Sequence, residues 1–301
     1  MIFRNATLLS FPIELDFTQL EKQLDGHRLK SVGPQELASY GAVSPFGPEH
    51  TALTHQIGKG ILFCVGEERR ILPAAAVKEA VRKKVVEIEG REGKKLRGKE
   101  KKAIKEDVIL DLLPKAMIKP GRTMGYLDLE RGFIAMDSGA VRSTESAASL
   151  IRGAMGSFPA LPLIAEYDPS TLMTQWLRAE LLPEPWMLGN SCELKDPVDT
   201  AAVVRASGQE LLSDEIGHHL DAGKVATKIA LVHGDRMSFV LGNDLIIRKI
   251  KLLDLAMSGL ENQAIETIEQ EIDARFALMH GEFGLLFDVI RTTFKLEKNT
   301  G

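Results

Sequence analysis

Cysteine is scarce in this chain, which has only Cys64 and Cys192 among its 301 residues. Two cysteines are too few for a disulfide framework and too few for a cysteine-based zinc site. Cys64 lies in the apolar run of residues 61–65, which predicts a small buried side chain there. The disulfide-rich secreted scaffolds and the cysteine-ligated zinc modules are therefore excluded.

Long apolar runs are missing too, and none approaches the length of a membrane span. The first five residues lack the charged and then apolar pattern of a secretory signal. Both features predict a protein of the reducing cytoplasm that does not enter a membrane. With 44% apolar and 27% charged residues, the chain has the composition of a globular protein with one elaborate core or several cores.

Recognisable catalytic motifs are equally hard to find. The Gly-Lys-Gly at residues 58–60 lacks the upstream glycine and the following Ser or Thr of a phosphate loop, so we interpret it as a turn. His218 and His219 are adjacent and point to different faces of a predicted helix, which does not suit a metal site. No serine lies in a Gly-x-Ser-x-Gly elbow. Asp128 and Asp137 fall on predicted hairpin strands, where turn and edge roles explain them. We expect no active site, metal or cofactor.

Positive charge is concentrated in one segment of a chain whose net charge is −4. Residues 78–107 contain twelve Lys or Arg and seven Asp or Glu, a net charge of +5, which leaves −9 for the rest. Such a cluster favours local binding of a polyanion. A merely solvated helical face explains the same pattern, and the segment alone does not decide between them.

The pattern of apolar residues predicts an α+β fold with antiparallel sheets and helices. Predicted strands include residues 61–65, 123–129, 132–137, 200–206, 225–233 and 237–241, with 245–253 continuing the sheet; another begins at Thr7 and ends early because of Pro12. Predicted helices cover residues 17–24, 74–89, 143–155 with Ser143 as a possible cap, 170–178, 262–279 and 285–294. A further helix contains Ile104, Val108 and Leu112 and ends at Pro114 and Pro120.

Two helical stripes joined by a glycine-rich basic turn predict an antiparallel hairpin. We call residues 74–119 the finger and expect it to project from the body. The remaining chain divides into an N-terminal region, residues 1–73 with 120–165, and a C-terminal region, residues 166–301. Strict alternation of strands and helices is absent, which argues against a nucleotide-binding doubly wound sheet.

Ordered landmarks along the chain carry a family resemblance. They include Ala-Leu-Thr-His at 52–55, Ile-Leu-Pro at 71–73, Leu-Leu-Pro-Lys-Ala at 112–116, Ala-Gly-Lys-Val at 222–225 and Phe-Ala-Leu-Met at 276–279. No single piece is a specific motif, but their order and spacing make the chain resemble the recombination-associated protein RdgC family over essentially its whole length.

The resemblance implies a DNA-binding protein without catalysis and without sequence preference. It implies curved monomers that pair at both ends into a homodimeric ring with a basic hole that surrounds duplex DNA, and a nucleoid-associated role that restrains the RecA recombinase by competing for DNA. A two-fold ring needs two self-complementary patches, and the finger and the C-terminal region are the expected ones.

Candidate DNA contacts are cations that neutralise phosphates, together with one amide. They are Lys78, Arg82, Lys119, Arg122, Arg205, Gln209, Lys224, Lys228, Lys249 and Lys251. For any one of these cations, a solubilising role explains the residue as well as DNA contact does. Near Arg205 the family pattern is more basic, whereas this chain has Ser207-Gly208-Gln209.

Met117 is the candidate dimer contact, at a position where the resemblance favours phenylalanine. Its side chain keeps the bulk of an anchor but lacks the rigid ring. Ordinary packing at the root of the finger is the alternative for this residue. For the whole protein, the alternative function is an adaptor whose charged finger binds an acidic partner, and a nuclease with unrecognised carboxylates is a weaker third.

Overall fold

Two antiparallel sheets and eight α-helices account for most of residues 3–179, 181–199, 201–261 and 266–299, which the computed structural model describes. The predicted α+β class is therefore confirmed. No helix within these ranges is both long enough and apolar enough to span a membrane.

The N-terminal sheet has seven strands. They are β1 Thr7–Ser10, β2 Ala38–Val43, β3 Thr54–Ile57, β4 Gly60–Ile71, β5 Met117–Asp128, β6 Phe133–Met136 and β7 Leu161–Pro162. Their order is β2-β4-β5-β6-β1-β7, and β3 pairs with the first part of β4 beside β2. The strands β4 and β5 pair along their full lengths, from Gly60 opposite Asp128 to Ile71 opposite Met117. Their outer halves extend beyond the buried part of the sheet and lead into the finger.

The C-terminal sheet has five strands in the order β12-β11-β10-β8-β9. Their bounds are β8 Trp186–Lys195, β9 Val203–Ser207, β10 Val225–His233, β11 Met237–Gly242 and β12 Ile247–Leu252. Backbone hydrogen bonds join the two sheets directly. Ala6, just before β1, exchanges them with Ile247 of β12.

The eight α-helices are α1 Leu20–Asp25, α2 Ala74–Glu92, α3 Gly98–Leu112, α4 Val141–Met155, α5 Pro169–Ala179, α6 Asp214–Asp221, α7 Asp254–Glu261 and α8 Ile268–Thr293. One face of the N-terminal sheet packs against α1 and α4. The other face packs against α8, whose Phe276, Phe283 and Phe287 lie in the same core cluster as residues of both sheets. Helix α8 therefore joins the two halves of the molecule.

The finger contains α2 and α3, which pack against each other around Leu96, Ile104 and Val108 in a small cluster of their own. Lys84 of α2 pairs with Asp111 of α3 at 3.1 Å, and Glu89 approaches Lys101 at 3.8 Å, as expected of antiparallel helices. The guanidinium of Arg70, at the end of β4, donates to the carbonyl oxygens of Leu113 at 2.9 Å and Ala116 at 3.4 Å. This side chain ties the base of the finger to the sheet.

Several sequence predictions are wrong in their boundaries. Helix α4 begins at Val141, so Ser143 lies inside its first turn and is not its N-cap; its hydroxyl instead accepts a hydrogen bond of 3.1 Å from the hydroxyl of Ser138. The helix predicted to end at Pro114 and Pro120 is α3, which ends at Leu112 just before Pro114, whereas Pro120 lies within β5. Strand β6 pairs only with Gly125 to Asp128 of β5, so β5 is an edge strand at Pro120. Proline lacks a backbone N–H, and at this edge no hydrogen bond between strands is lost.

Other elements were not predicted at all. Strands β2, β3 and β8 lie in segments for which the sequence predicted no strand. The helices predicted at 262–279 and 285–294 are one continuous α8 from Ile268, because Gly281 and Gly284 are accommodated within it; residues 262–265 lie outside the described residues. Residue 200, the predicted start of β9, also lies outside them, and the strand begins at Val203.

Candidate nucleic-acid interface

The C-terminal sheet carries a row of cations on the surface that faces away from the core. Alternation along each strand produces this arrangement, because Cys192, Leu194, Ile229 and Leu241 point into the core and their neighbours point outward. We call the outward surface the cationic face. Its cations are Lys195, Arg205, Lys228, Arg248 and Lys251.

Glu193 lies at the centre of the cationic face. In the register of the sheet it is directly opposite Arg205 on β9 and Lys228 on β10, so all three side chains share one surface. Its oxygens lie 2.8 Å from Arg205 Nε, 3.0 Å from Lys228 Nζ and 3.6 Å from Lys195 Nζ. The hydroxyl of Thr227 donates to it at 3.0 Å. One carboxylate therefore organises three cations.

The environment of Glu193 favours its charged form. Burial raises the pKa of the carboxyl, but hydrogen bonds from Lys228, Arg205 and Thr227 and the charge of Lys228 outweigh that cost and lower the pKa to about 2. Arg205 remains exposed over 71% of its side chain. The cations are thus held in place while at least one of them keeps a surface open to an anion.

The far edge of the cationic face is formed by β12. Arg248 binds Asp244 through two hydrogen bonds of 2.9 and 2.6 Å, and its guanidinium lies over Gly242, the residue opposite Lys228. Lys251 is exposed and lies opposite Ser238. With Glu193 and Asp244 included, five cations and two carboxylates leave this surface with a net charge of +3.

The other C-terminal candidates lie at the margins of this face. Lys249 is exposed, in the same strand as Lys251, and its positive φ of 53° marks a local break in the alternation. Lys224 precedes β10. The pKa of the Asp196 carboxyl is lowered mainly by hydrogen bonds from the backbone N–H groups of Asp199 and Val198, and the nearby charge of Lys224 makes a smaller contribution. Gln209 follows β9, and its backbone N–H approaches the carbonyl of Asn190 at 3.4 Å.

Lys119 and Arg122 point to opposite faces of the N-terminal sheet, because they are an odd number of residues apart on β5. Lys119 is exposed opposite Arg69. Arg122 is on the α8 side and donates a hydrogen bond to the carbonyl oxygen of Ser44. The two residues therefore cannot both contact a DNA backbone that lies against one face of the sheet.

The finger candidates differ from each other in how much charge they offer. Lys78 is exposed on α2 and has no carboxylate within 4.0 Å among the described residues. Arg82 forms two hydrogen bonds with Glu79 at 2.8 and 2.7 Å, which lower the pKa of that carboxyl. The charge of Arg82 is largely balanced within its own helix.

Met117 is the first residue of β5 and has 76% of its surface exposed. It lies opposite Ile71, which is itself 40% exposed, so two apolar side chains share a surface at the base of the finger. This geometry is available for an intermolecular contact.

Lys195 and Arg248 are the cations of the interface that sequence reasoning missed. The spacing of Glu193 and Lys195 is the i, i+2 pattern of one strand face, but β8 itself was not predicted. Within the described ranges, no group of three or more His, Cys, Asp or Glu side chains is arranged to hold a metal ion. Asp128 and Asp137 have structural roles, since they accept backbone N–H groups of Arg131 at 2.9 Å and Arg4 at 2.8 Å.

Comparison with known proteins gives one consistent family. Residues 1–297 match the family model described as "Putative exonuclease, RdgC". The chain is 48% identical to recombination-associated protein RdgC of Xanthomonas axonopodis pv. citri strain 306, over 99% of both chains. The protein of the same name from Xanthomonas oryzae pv. oryzae strain PXO99A is also 48% identical, and that of Stenotrophomonas maltophilia strain R551-3 is 44% identical, again over 99% of both chains.

Proposed function

The chain belongs to the RdgC family of recombination-associated proteins, and on this basis we propose that it binds duplex DNA without sequence preference. The cationic face is the observation that carries the proposal. Its cations lie on adjacent strands of a single sheet and form an extended array. Such an array suits the repeated negative charges of a phosphate backbone. Contacts to phosphates position a protein without reading bases.

The proposed assembly is a homodimeric ring with DNA in its centre. Met117 and Ile71 supply an exposed apolar pair for one self-complementary contact, and the C-terminal region supplies the second. The net charge is −4 overall, +5 in residues 78–107 and +3 on the cationic face, so the remaining residues carry −12 and repel DNA, which favours a site in the hole. By occupying duplex DNA, such a ring limits the access of RecA in the nucleoid of the cytoplasm.

A gel-shift or anisotropy titration of several unrelated duplexes at increasing salt tests DNA binding. The proposal predicts equal affinity for all sequences and an affinity that falls steeply as salt rises. Tight binding that salt does not change would overturn it.

Encirclement is tested by blocking the ends of a linear duplex. A ring that has closed around DNA slides off free ends, whereas bulky proteins bound at both ends retain it after a high-salt wash. The same duplex with only one end blocked is the matched control. Equal retention on both substrates contradicts encirclement but leaves simple DNA binding intact.

Binding without cleavage is the proposed chemistry, although the family description mentions an exonuclease. The sequence offers no recognisable nucleophile with its base and no carboxylate motif of a nuclease. Incubation of end-labelled DNA with the protein and magnesium is expected to leave the label at full length. Stepwise loss of the label would establish the nuclease instead.

The alternative is an adaptor whose finger binds an acidic protein, which the cations of α2 and α3 favour. In that case Lys224→Ala together with Lys228→Ala leaves DNA binding unchanged, and an acidic polypeptide competes for the finger. Under the DNA-binding proposal, the same double substitution weakens DNA binding.

A further inference from the structure

Most cations of the cationic face are already paired with a carboxylate of the same chain. Arg248 forms two hydrogen bonds with Asp244, of 2.9 and 2.6 Å. Three other cations lie within 3.6 Å of the Glu193 carboxylate; they are Lys195, Arg205 and Lys228. A phosphate that binds one of these side chains therefore has to compete with a carboxylate that is already in place.

Arg205 is the cation that can leave its carboxylate most easily. Its side chain is 71% exposed, about twice as much as that of Lys228 or Lys195. It contacts Glu193 through Nε, at 2.8 Å, and it lies on β9, which is an edge strand of the C-terminal sheet. A rotation of this side chain gives up the contact with Glu193 and brings the guanidinium to an anion in solution.

Glu193 keeps other partners when Arg205 moves away. Lys228 Nζ lies 3.0 Å from one of its oxygens, and the hydroxyl of Thr227 donates to the same oxygen at 3.0 Å. Burial raises the pKa of Glu193, but hydrogen bonds from Lys228, Arg205 and Thr227 lower it to about 2, and that from Lys228 has the largest effect among them. The departure of Arg205 therefore does not leave a buried charge without a partner, which would be strongly destabilising.

The exchange of one ion pair for another reduces what a phosphate contact contributes. A free cation only has to be brought to the phosphate, whereas Arg205 first has to give up Glu193. An exposed ion pair changes an equilibrium constant by up to about fivefold. Differences in affinity between variants of one interface arise mainly in the dissociation rate, so such an exchange shortens the time that the protein stays bound.

We propose that Glu193 competes with DNA phosphates for Arg205 and thereby limits the affinity and the residence time of the protein on DNA. This inference rests on the proposed function, because it assigns a role within the cationic face. Glu193 is a positioning residue that acts through Arg205. Without DNA it holds the guanidinium on the surface of the sheet, and a phosphate displaces it. Rapid exchange between carboxylate and phosphate suits a protein that moves along a duplex.

The test measures the affinity and the dissociation rate of the full-length protein on an unrelated duplex at one fixed salt concentration. Glu193→Gln is expected to bind about threefold to fivefold more tightly and to dissociate correspondingly more slowly. If Glu193 only held Arg205 in its binding position, the same substitution would weaken binding. Glu145→Gln, at an exposed carboxylate of α4, changes the net charge equally and is expected to stay within about twofold of the wild type.

The Arg205→Gln background separates competition from simple repulsion of DNA by a negative charge. In that background, Glu193→Gln is expected to change the affinity by less than about twofold, because the cation for which it competes is gone. A gain as large as in the wild-type background would overturn the inference. Unchanged or weaker binding by a folded Glu193→Gln variant would overturn it as well.

A structure of the wild-type protein bound to a duplex gives a test that does not depend on the folding of a variant. Arg205 Nε is expected to lie more than about 4 Å from the Glu193 carboxylate, with the guanidinium on a phosphate. A separation that stays at 2.8 Å would contradict the exchange. Failure of the proposed function is distinguishable from both results, because the wild-type protein would then show no salt-dependent DNA binding.

Discussion

Arg205 Nε lies 2.8 Å from Oε2 of Glu193, a residue on the neighbouring strand and directly opposite it in register. The carboxylate is almost fully buried, while the guanidinium remains mostly exposed. Lys228 approaches the other oxygen from the opposite side. A buried carboxylate therefore holds cations of β9 and β10 on the same surface of the sheet.

The first prediction concerns acid stability. The pKa of Glu193 falls from 4.5 to about 2 on folding, so its contribution to the free energy of unfolding is present above pH 4.5 and is lost as pH falls towards 2. A shift of this size corresponds to about 3 kcal/mol. Glu193→Gln lacks this contribution, so the difference in unfolding free energy between wild type and variant is expected to shrink through that pH window.

Urea unfolding at several pH values measures this difference. Glu210→Gln, at an exposed carboxylate, is the matched control and is expected to stay close to the wild type throughout. A difference for Glu193→Gln that is constant from neutral pH to pH 2 would refute the assigned role of the carboxylate.

The second prediction concerns the base of the finger. Arg70→Ala removes the donor to the carbonyl oxygens of Leu113 and Ala116, so the finger should open locally more often. Faster amide exchange is expected within residues 74–119, with little change in the core strands. Arg69→Ala is the control, because Arg69 points to the other face and binds Glu67 and Tyr40. Equal exchange in both variants would contradict the anchoring role.

The third prediction concerns dimerisation through Met117. Met117→Asp places a charge in the proposed apolar contact and should lower the dimer fraction in analytical ultracentrifugation, whereas Met117→Phe should raise it because a rigid ring loses less entropy. Val198→Asp changes another highly exposed apolar residue, 93% exposed, and is expected to have no effect. A dimer fraction that Met117→Asp leaves unchanged rules out this contact.

The fourth prediction concerns an ion pair between a partly exposed arginine and a buried carboxylate, which joins the turn before β11 to α8. Arg236, in the turn before β11, binds the carboxylate of Glu282 through hydrogen bonds of 2.9 and 3.0 Å from its Nε. Glu282 is 4% exposed, so Arg236→Ala strands a buried charge and should cost about 3–5 kcal/mol in urea unfolding. The double variant with Glu282→Gln removes that charge and should recover part of the loss. A double variant no more stable than Arg236→Ala would contradict this explanation.

Local patterns allowed much of this fold to be predicted from the sequence. The stripe on α2 and the alternation in β10 and β11 each indicate an element without reference to the rest of the chain. The strands that were missed depend on distant partners. β8 has an irregular pattern around Gly189, where the sheet passes Ala230 closely, and only its position between β9 and β10 makes it a strand.

The candidate interface could be predicted only in part, for the same reason. Arg205 and Lys228 were identified, but their shared carboxylate and Lys195 lie on the missed strand. The opposite orientations of Lys119 and Arg122 follow from one strand running through Pro120, where the sequence suggested a break. Which cations share a surface is a property of strand register, and register is fixed by tertiary contacts.

The most direct test of the central claim is the salt dependence of DNA binding by wild type and by Arg205→Gln with Lys251→Gln. Both substitutions remove exposed cations of the cationic face. The account predicts that the slope of log Kobs against log salt becomes shallower by about 2, equally for unrelated duplexes. An unchanged slope, or wild-type affinity that is independent of salt, would contradict it.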